Sequence, residues 1–185
     1  MSETGMNSSN PLQGERRPGT VGPALPGVEL RVVDDVGTAL PTHTPGNLQV
    51  RGPNVFKGYW RMPEKTREDF TDDGFFDTGD QASISADGYV TIVGRAKDMI
   101  ICGGLNVYPK EIELFLDDLD GVRESAVVGA PHADFGEVVV AIIVGDGSRS
   151  LADDDIITPC REHLANFKVP KQVLFVKELP RNSMG

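Results

Sequence analysis

The sequence predicts an α+β protein. An antiparallel, β-barrel-like subdomain is expected over residues 1–96, followed by a smaller α+β domain over residues 97–185. Three observations carry this. Residues 28–93 hold short runs of alternating apolar and polar residues broken by Gly- and Pro-rich turns, the pattern of half-buried strands joined by hairpins. After Arg95 the period lengthens, with Ile112, Phe115, Leu116 and Leu119 spaced as one face of an amphipathic helix. The run EVVVAIIVG (137–145) is apolar on both faces, as a central strand is.

The elements follow in order. Residues 1–27 are polar at the start, with little to pack, and then rich in turn residues at RRPGTVGPALPG. VELRVVD (28–34) alternates as a strand, DDVGTALPTHTPG connects, and NLQVRG (47–52) is a second strand. MPEKTREDF (62–70) opens with a proline suited to a first helical turn. GFFDTGDQASIS and GYVTIVG read as two strands around an ADG hairpin turn. MIICGG is a short buried strand or turn. A helix over 109–119, strands at ESAVVGAP and EVVVAIIVG, a helix over 151–167 and a strand at KQVLFV (171–176) complete an α-β-β-α-β order. Asp153, Asp154 and Asp155 sit at the positive end of the second helix, and Pro159 should kink that helix or delay its start.

Composition narrows the partners. The 185 residues carry a net charge of -10, which excludes non-specific binding to a phosphate backbone. A phosphorylated small molecule needs only a few local donors and remains open. No apolar run approaches the ~20 residues of a membrane span, and the first residues lack the apolar core of a secretory signal. Cys102 and Cys160 fit no metal or redox spacing, so free thiols in a reducing, cytoplasmic setting are expected.

Five stretches carry chemistry, each with a structural alternative. SET (2–4) sets two hydroxyls around one carboxylate, suiting Mg²⁺ and phosphate oxygens; alone it is a polar segment. VRGPNVFKGYW (50–60) reads as a tight turn capped by packed Tyr59 and Trp60. In DTGD (77–80), Asp80 can accept both hydroxyls of a ribose, or simply satisfy a turn. In GRAKD (94–98), Arg95 is a forked donor for sugar and phosphate oxygens, or a surface cation. In GGLNVYPKEIE, Gly103 and Gly104 let backbone or a thin ligand chain pass closely, or form a strand-to-helix turn.

Taken together, SETG, NLQVRGPNVFKGYW, DGFFDTGD, GYVTIVGRAKDMIICGGLNVYPKEIE, LANFKVPK and PRNSMG stand in the order and spacing of the adenylate-forming (AMP-binding) superfamily. The chain resembles its acyl-CoA synthetase branch along its whole length. SETGMNSSNP and GERRPGTVG are most similar to the malonyl-CoA synthetases. The resemblance implies an ATP-dependent ligase that joins a small carboxylic acid, malonate or similar, to coenzyme A through an acyl-adenylate, releasing AMP and pyrophosphate. It implies that Glu3 helps hold Mg²⁺ with ATP, that Ser2 and Thr4 meet the phosphates, and that Asp80 and Arg95 bind the ribose. Lys97 matches the hinge of a mobile C-terminal domain, and Gly103 and Gly104 match the wall of the pantetheine tunnel. It also implies that a phosphate loop and most of the acid pocket lie upstream of residue 1, in a missing N-terminal region, and that a catalytic lysine follows NSMG. On this reading the chain is a C-terminal fragment, inactive alone, with neither a nucleic acid nor a membrane as partner.

Two other readings stand beside it. An adenylation domain loading a carrier protein would share every motif. A non-catalytic nucleotide-binding or interaction fragment would keep the fold and lose the chemistry. For a dicarboxylate, Arg16 and Arg17 are available cations, unless they are solvated loop charges.

Overall fold

The computed structural model describes residues 1–181 and is α+β, with mostly antiparallel sheets and few helices. The chain divides into two compact units, Met1–Lys97 and Asp98–Gly185.

The first unit contains β1 (Glu29–Val33), β2 (Gly46–Arg51), α1 (Pro63–Asp69), β3 (Phe76–Ile84) and β4 (Val90–Arg95). The strands form one antiparallel sheet in the order β1-β2-β3-β4. Among the described residues the sheet stays open rather than closing into a barrel, because β1 and β4 are its two edges. Val32, Leu48, Ala82 and Val90 form a buried cluster, covered by Leu30, Leu40, Ile84 and Ile92. A second packing centre is aromatic. Phe56 meets Tyr59 edge-on at 4.8 Å and Phe76 at 5.2 Å between ring centroids, and Phe70 also packs on Phe76. Such pairs contribute about 0.5–1.5 kcal/mol beyond area burial. Tyr59 is therefore packed as the sequence suggests, but Trp60 is not: it is 85% exposed. Its neighbour Arg61 takes a left-handed φ of 55°, and the guanidinium lies 5.6 Å from the Trp60 ring. The opening residues also pack more than their polarity suggests, since Thr4 is buried.

The second unit contains β5 (Ile100–Cys102), β6 (Leu105–Val107), α2 (Pro109–Asp117), β7 (Val122–His132), β8 (Gly136–Gly145), α3 (Asp153–His163) and β9 (Gln172–Val176). The expected α-β-β-α-β order thus lacks the leading hairpin β5–β6. Gly103 and Gly104 are its two-residue turn, not a strand-to-helix turn, and both have positive φ, 58° and 80°. A type I′ hairpin turn demands this of both central residues, and glycine meets it without a Cβ penalty.

β8 is the central strand, as its composition suggests. β7 runs antiparallel along one side of it, while β5 and the parallel β9 share the other. Val139, Ala141 and Ile143 are fully buried within the main cluster, where Ile112 and Leu116 of α2 and Ile156 and Cys160 of α3 meet them. Burying one such aliphatic side chain stabilises by about 1.5–3 kcal/mol. Pro109 starts α2 at a position where no intrahelical N–H is needed. At the start of α3, Asp155 accepts the Ala152 N–H at 2.8 Å, satisfying one end donor. Pro159 lies inside α3, which spans Asp153–His163 and is shorter at both ends than the 151–167 the sequence suggests.

Candidate functional site

Asp80 and Arg95 lie far apart in the chain but opposite each other across β3 and β4. Two bulges place them. In β3, Thr78, Gly79 and Asp80 together face only Leu48 of β2. Gly79 adopts φ 68° there, its N–H donates to Asp77 Oδ1 at 3.0 Å, and the Thr78 hydroxyl donates to the Leu48 carbonyl at 2.9 Å. In β4, the register slips by one between Gln81 and Ala82. Without that slip Asp80 would face Gly94; with it, Asp80 faces Arg95. A bulge re-aims side chains in this way.

The resulting pair has Arg95 Nε 2.9 Å from Asp80 Oδ1, with a second guanidinium nitrogen donating to the Thr78 carbonyl at 3.2 Å. Oδ2 of Asp80 has no partner among the described residues. Burial pushes the Asp80 carboxyl above its ordinary value; the Arg95 guanidinium and the Met1 amine pull it back, and the Asp77 carboxylate adds to the rise. A partly exposed ion pair contributes only about 0–1 kcal/mol. Holding a desolvated carboxylate there is a poor stabilising device, and perturbed carboxyls of this kind cluster at ligand sites. The strand then ends in a 3-10 turn at Ala96–Asp98, where Lys97 is exposed and forms no ion pair among the described residues.

The segment around Glu3 is held by residues fifty positions onward. The Phe56 N–H donates to the Glu3 carbonyl at 2.8 Å, and Asn54 Nδ2 donates to the Thr4 carbonyl at 2.8 Å. The Tyr59 hydroxyl reaches Glu3 Oε1 at 3.5 Å. Ser2 is exposed. The Thr4 hydroxyl and Asn54 Oδ1 are buried without a hydrogen-bond partner among the described residues. Asn54 and Tyr59 are not among the residues the motifs nominate. The stretch VRGPNVFKGYW draws attention to itself, but nothing local shows that it reaches back to Glu3.

Gly103 and Gly104 belong to the second unit. The Gly103 N–H donates to the Phe135 carbonyl at 2.9 Å. A Cβ on Gly103 would sit 3.4 Å from the Phe135 ring, whereas one on Gly104 would meet nothing within 4 Å. Turn conformation is thus the demand common to both. Arg16 donates to the Pro11 carbonyl at 3.1 Å, and Arg17 is engaged by Glu15 at 3.0 Å and Asp87 at 2.6 Å. These are loop-bracing contacts. The NSMG stretch lies outside the described residues. No group of three or more His, Cys, Asp or Glu side chains that could hold a metal occurs among the described residues.

Comparison with known proteins adds to this geometry. Residues 1–60 match the family model for AMP-binding enzymes, and residues 111–185 match the one for the AMP-binding enzyme C-terminal domain. The crystal structure of ATP-bound MatB from Rhodopseudomonas palustris superposes with a TM-score of 0.96 at 57% identity, covering 100% of this chain and 37% of that one. A 3-[(3aS,4S,7aS)-7a-methyl-1,5-dioxo-octahydro-1H-inden-4-yl]propanoyl:CoA ligase of Rhodococcus jostii is 47% identical over 166 residues, 90% of this chain and 30% of its own length. The malonate–CoA ligase of Arabidopsis thaliana is 39% identical over 196 residues, covering 100% of this chain and 32% of that protein. The chain therefore spans about a third of the length of the relatives it matches. The two family models, with this identity across nearly all of its residues, establish that the chain belongs to the AMP-binding enzyme family.

Proposed function

We propose that this chain is part of an ATP-dependent acyl-CoA synthetase acting on a small carboxylic acid, malonate or a close analogue. A carboxylate is a poor acyl donor because its oxygen leaves badly. Attack of the carboxylate on the α-phosphorus of ATP, with loss of pyrophosphate, makes a mixed anhydride that the CoA thiol attacks, with AMP leaving. The protein's part is positioning and charge neutralisation. Asp80, with one carboxylate oxygen unpartnered among the described residues, accepts the ribose hydroxyls, and Arg95 donates to the sugar beside it. The observation that carries this reading is the cross-strand Asp80–Arg95 pair at 2.9 Å, set by two bulges and costly to desolvate. Family membership, the CoA ligase names of the relatives and the ATP-bound state of the MatB structure support it. Malonate rests on the resemblance and on the Arabidopsis relative.

Residues 1–96 serve as the end of a larger N-terminal domain, and residues 97–185 as a mobile C-terminal domain pivoting at Lys97. The division of compact units after Lys97 supports the placing of that pivot. Gly103 and Gly104 line the path of the pantetheine arm. Glu3 takes Mg²⁺, with the Ser2 and Thr4 hydroxyls toward the phosphates. A lone carboxylate fits a cation that brings phosphate and water ligands of its own, the usual mode for Mg²⁺, and not a cage built from protein alone. Bound there, Mg²⁺ would neutralise phosphate charge. The Thr4 hydroxyl, buried without a partner among the described residues, fits a nearby acceptor. Two buried free cysteines support a cytoplasmic location.

Calorimetric titration of the chain with AMP tests the nucleotide site. Saturable binding that R95Q weakens is expected; a folded chain with no AMP binding refutes the site and favours an interaction module. In an enzyme of the relatives' full length, malonyl transfer to free CoA with AMP release is expected. Transfer to a carrier protein alone would sink the CoA ligase reading.

A further inference from the structure

We propose that Tyr59 and Asn54 are positioning residues for Glu3, an inference that rests on the reading of Glu3 as the Mg²⁺-binding carboxylate. The segment carrying them offers three donors to one short stretch of chain. Asn54 Nδ2 donates to the Thr4 carbonyl at 2.8 Å, to Asn7 Oδ1 at 3.0 Å and to the Met6 carbonyl at 3.4 Å. The Phe56 N–H donates to the Glu3 carbonyl at 2.8 Å. These contacts hold the backbone on either side of the Glu3 side chain, and the Tyr59 hydroxyl addresses the side chain itself at 3.5 Å.

The Tyr59 contact is long, and its chemistry explains why. The phenol has one proton and two carboxylates near it, Glu3 and Asp69. Asp69 is itself gripped by Lys65 at 2.7 Å. Glu3 pairs with no cation among the described residues. It is thus aimed by a weak neutral donor. A carboxylate that must exchange a protein contact for a cation needs this arrangement, because a strong ion pair would compete with the metal. Tyr59 is itself fixed: its ring packs edge-on against Phe56, and its N–H donates to the Thr66 hydroxyl at 2.9 Å. Preorganisation of a metal-binding group by supporting hydrogen bonds typically changes metal affinity 10–100-fold; one weak neutral hydrogen bond should account for about fivefold.

The test compares ATP binding to the chain with and without Mg²⁺ in wild type, E3Q, Y59F and N54A, with AMP binding and Tm as controls. Mn²⁺·ATP followed by water-proton relaxation gives a second readout. In wild type Mg²⁺ tightens ATP binding. E3Q removes that gain. Y59F cuts it about fivefold and N54A at least as much, while AMP affinity stays within about twofold. Three results overturn the proposal. If E3Q abolishes the gain and Y59F leaves it whole, Tyr59 does not position Glu3. If Y59F weakens AMP and Mg²⁺·ATP binding equally and lowers Tm, its role is packing. If wild type shows no Mg²⁺ gain, or E3Q retains it, the Glu3 reading itself fails, and this inference with it.

Discussion

Asp80→Asn separates binding from stability, and the two should move in opposite directions. Asp80 Oδ1 is taken by Arg95 at 2.9 Å, and Oδ2 has no partner among the described residues. The open oxygen is the one offered to a ribose hydroxyl. Replacing it removes one hydrogen bond to a charged acceptor, about 1.5–3 kcal/mol, or roughly 10- to 150-fold in AMP affinity. Stability follows from the direction of the carboxyl's shift. Burial raises the Asp80 pKa in the folded state. The folded protein then binds a proton more tightly than the unfolded chain, so stability falls as pH rises from the unfolded toward the folded pKa. At neutral pH the ionised carboxylate is a destabilising group, and the neutral amide removes that cost. D80N should therefore bind AMP 10-fold or more weakly by calorimetry, with an unchanged or higher Tm at pH 7. AMP affinity of the wild type should fall on acidification, starting at a pH above the ordinary carboxylate range. An AMP affinity within twofold of wild type, or a Tm several degrees lower, would refute the reasoning.

Other outcomes follow from the packing and the charges. Ile112→Ala, at a side chain with 0% exposure, should cost about 2–5 kcal/mol in urea unfolding of the second unit. Gly104→Ala should cost about 1–2 kcal/mol from backbone conformation alone, since no atom lies within 4 Å of the added Cβ; Gly104→Asn should cost less, because asparagine tolerates this region. Asp73 is held by Arg31 and then by the Thr71 hydroxyl, which lower its pKa from 3.8 to about 2. Its contribution is present above 3.8 and lost as pH falls toward 2, so the Tm advantage over D73N should vanish across that window. Burial pushes the Cys160 thiol up to about 11, so a thiol reagent should modify it only on unfolding.

The sequence by itself determined what repeats along the chain. Alternation located β1 to β4 within a residue or two, the helical period located α2, and unbroken apolarity marked β8 as central. Each of these is a local consequence of which side must face away from water. The hairpin β5–β6 escaped because three-residue strands are too short to show a period, and the two glycines between them serve several turns equally well. Tertiary structure alone decided how the site is assembled. Asp80 and Arg95 face each other only because the pairing of β3 with β4 slips by one, and a slip depends on the energy of both paired strands together. The reach of Asn54, Phe56 and Tyr59 back to Glu3 is of the same kind. So is the difference between packed Tyr59 and exposed Trp60, adjacent aromatics that no local pattern separates. Periodic burial is encoded residue by residue, whereas pairing across the chain is settled only when distant segments compete for the same hydrogen bonds and the same space.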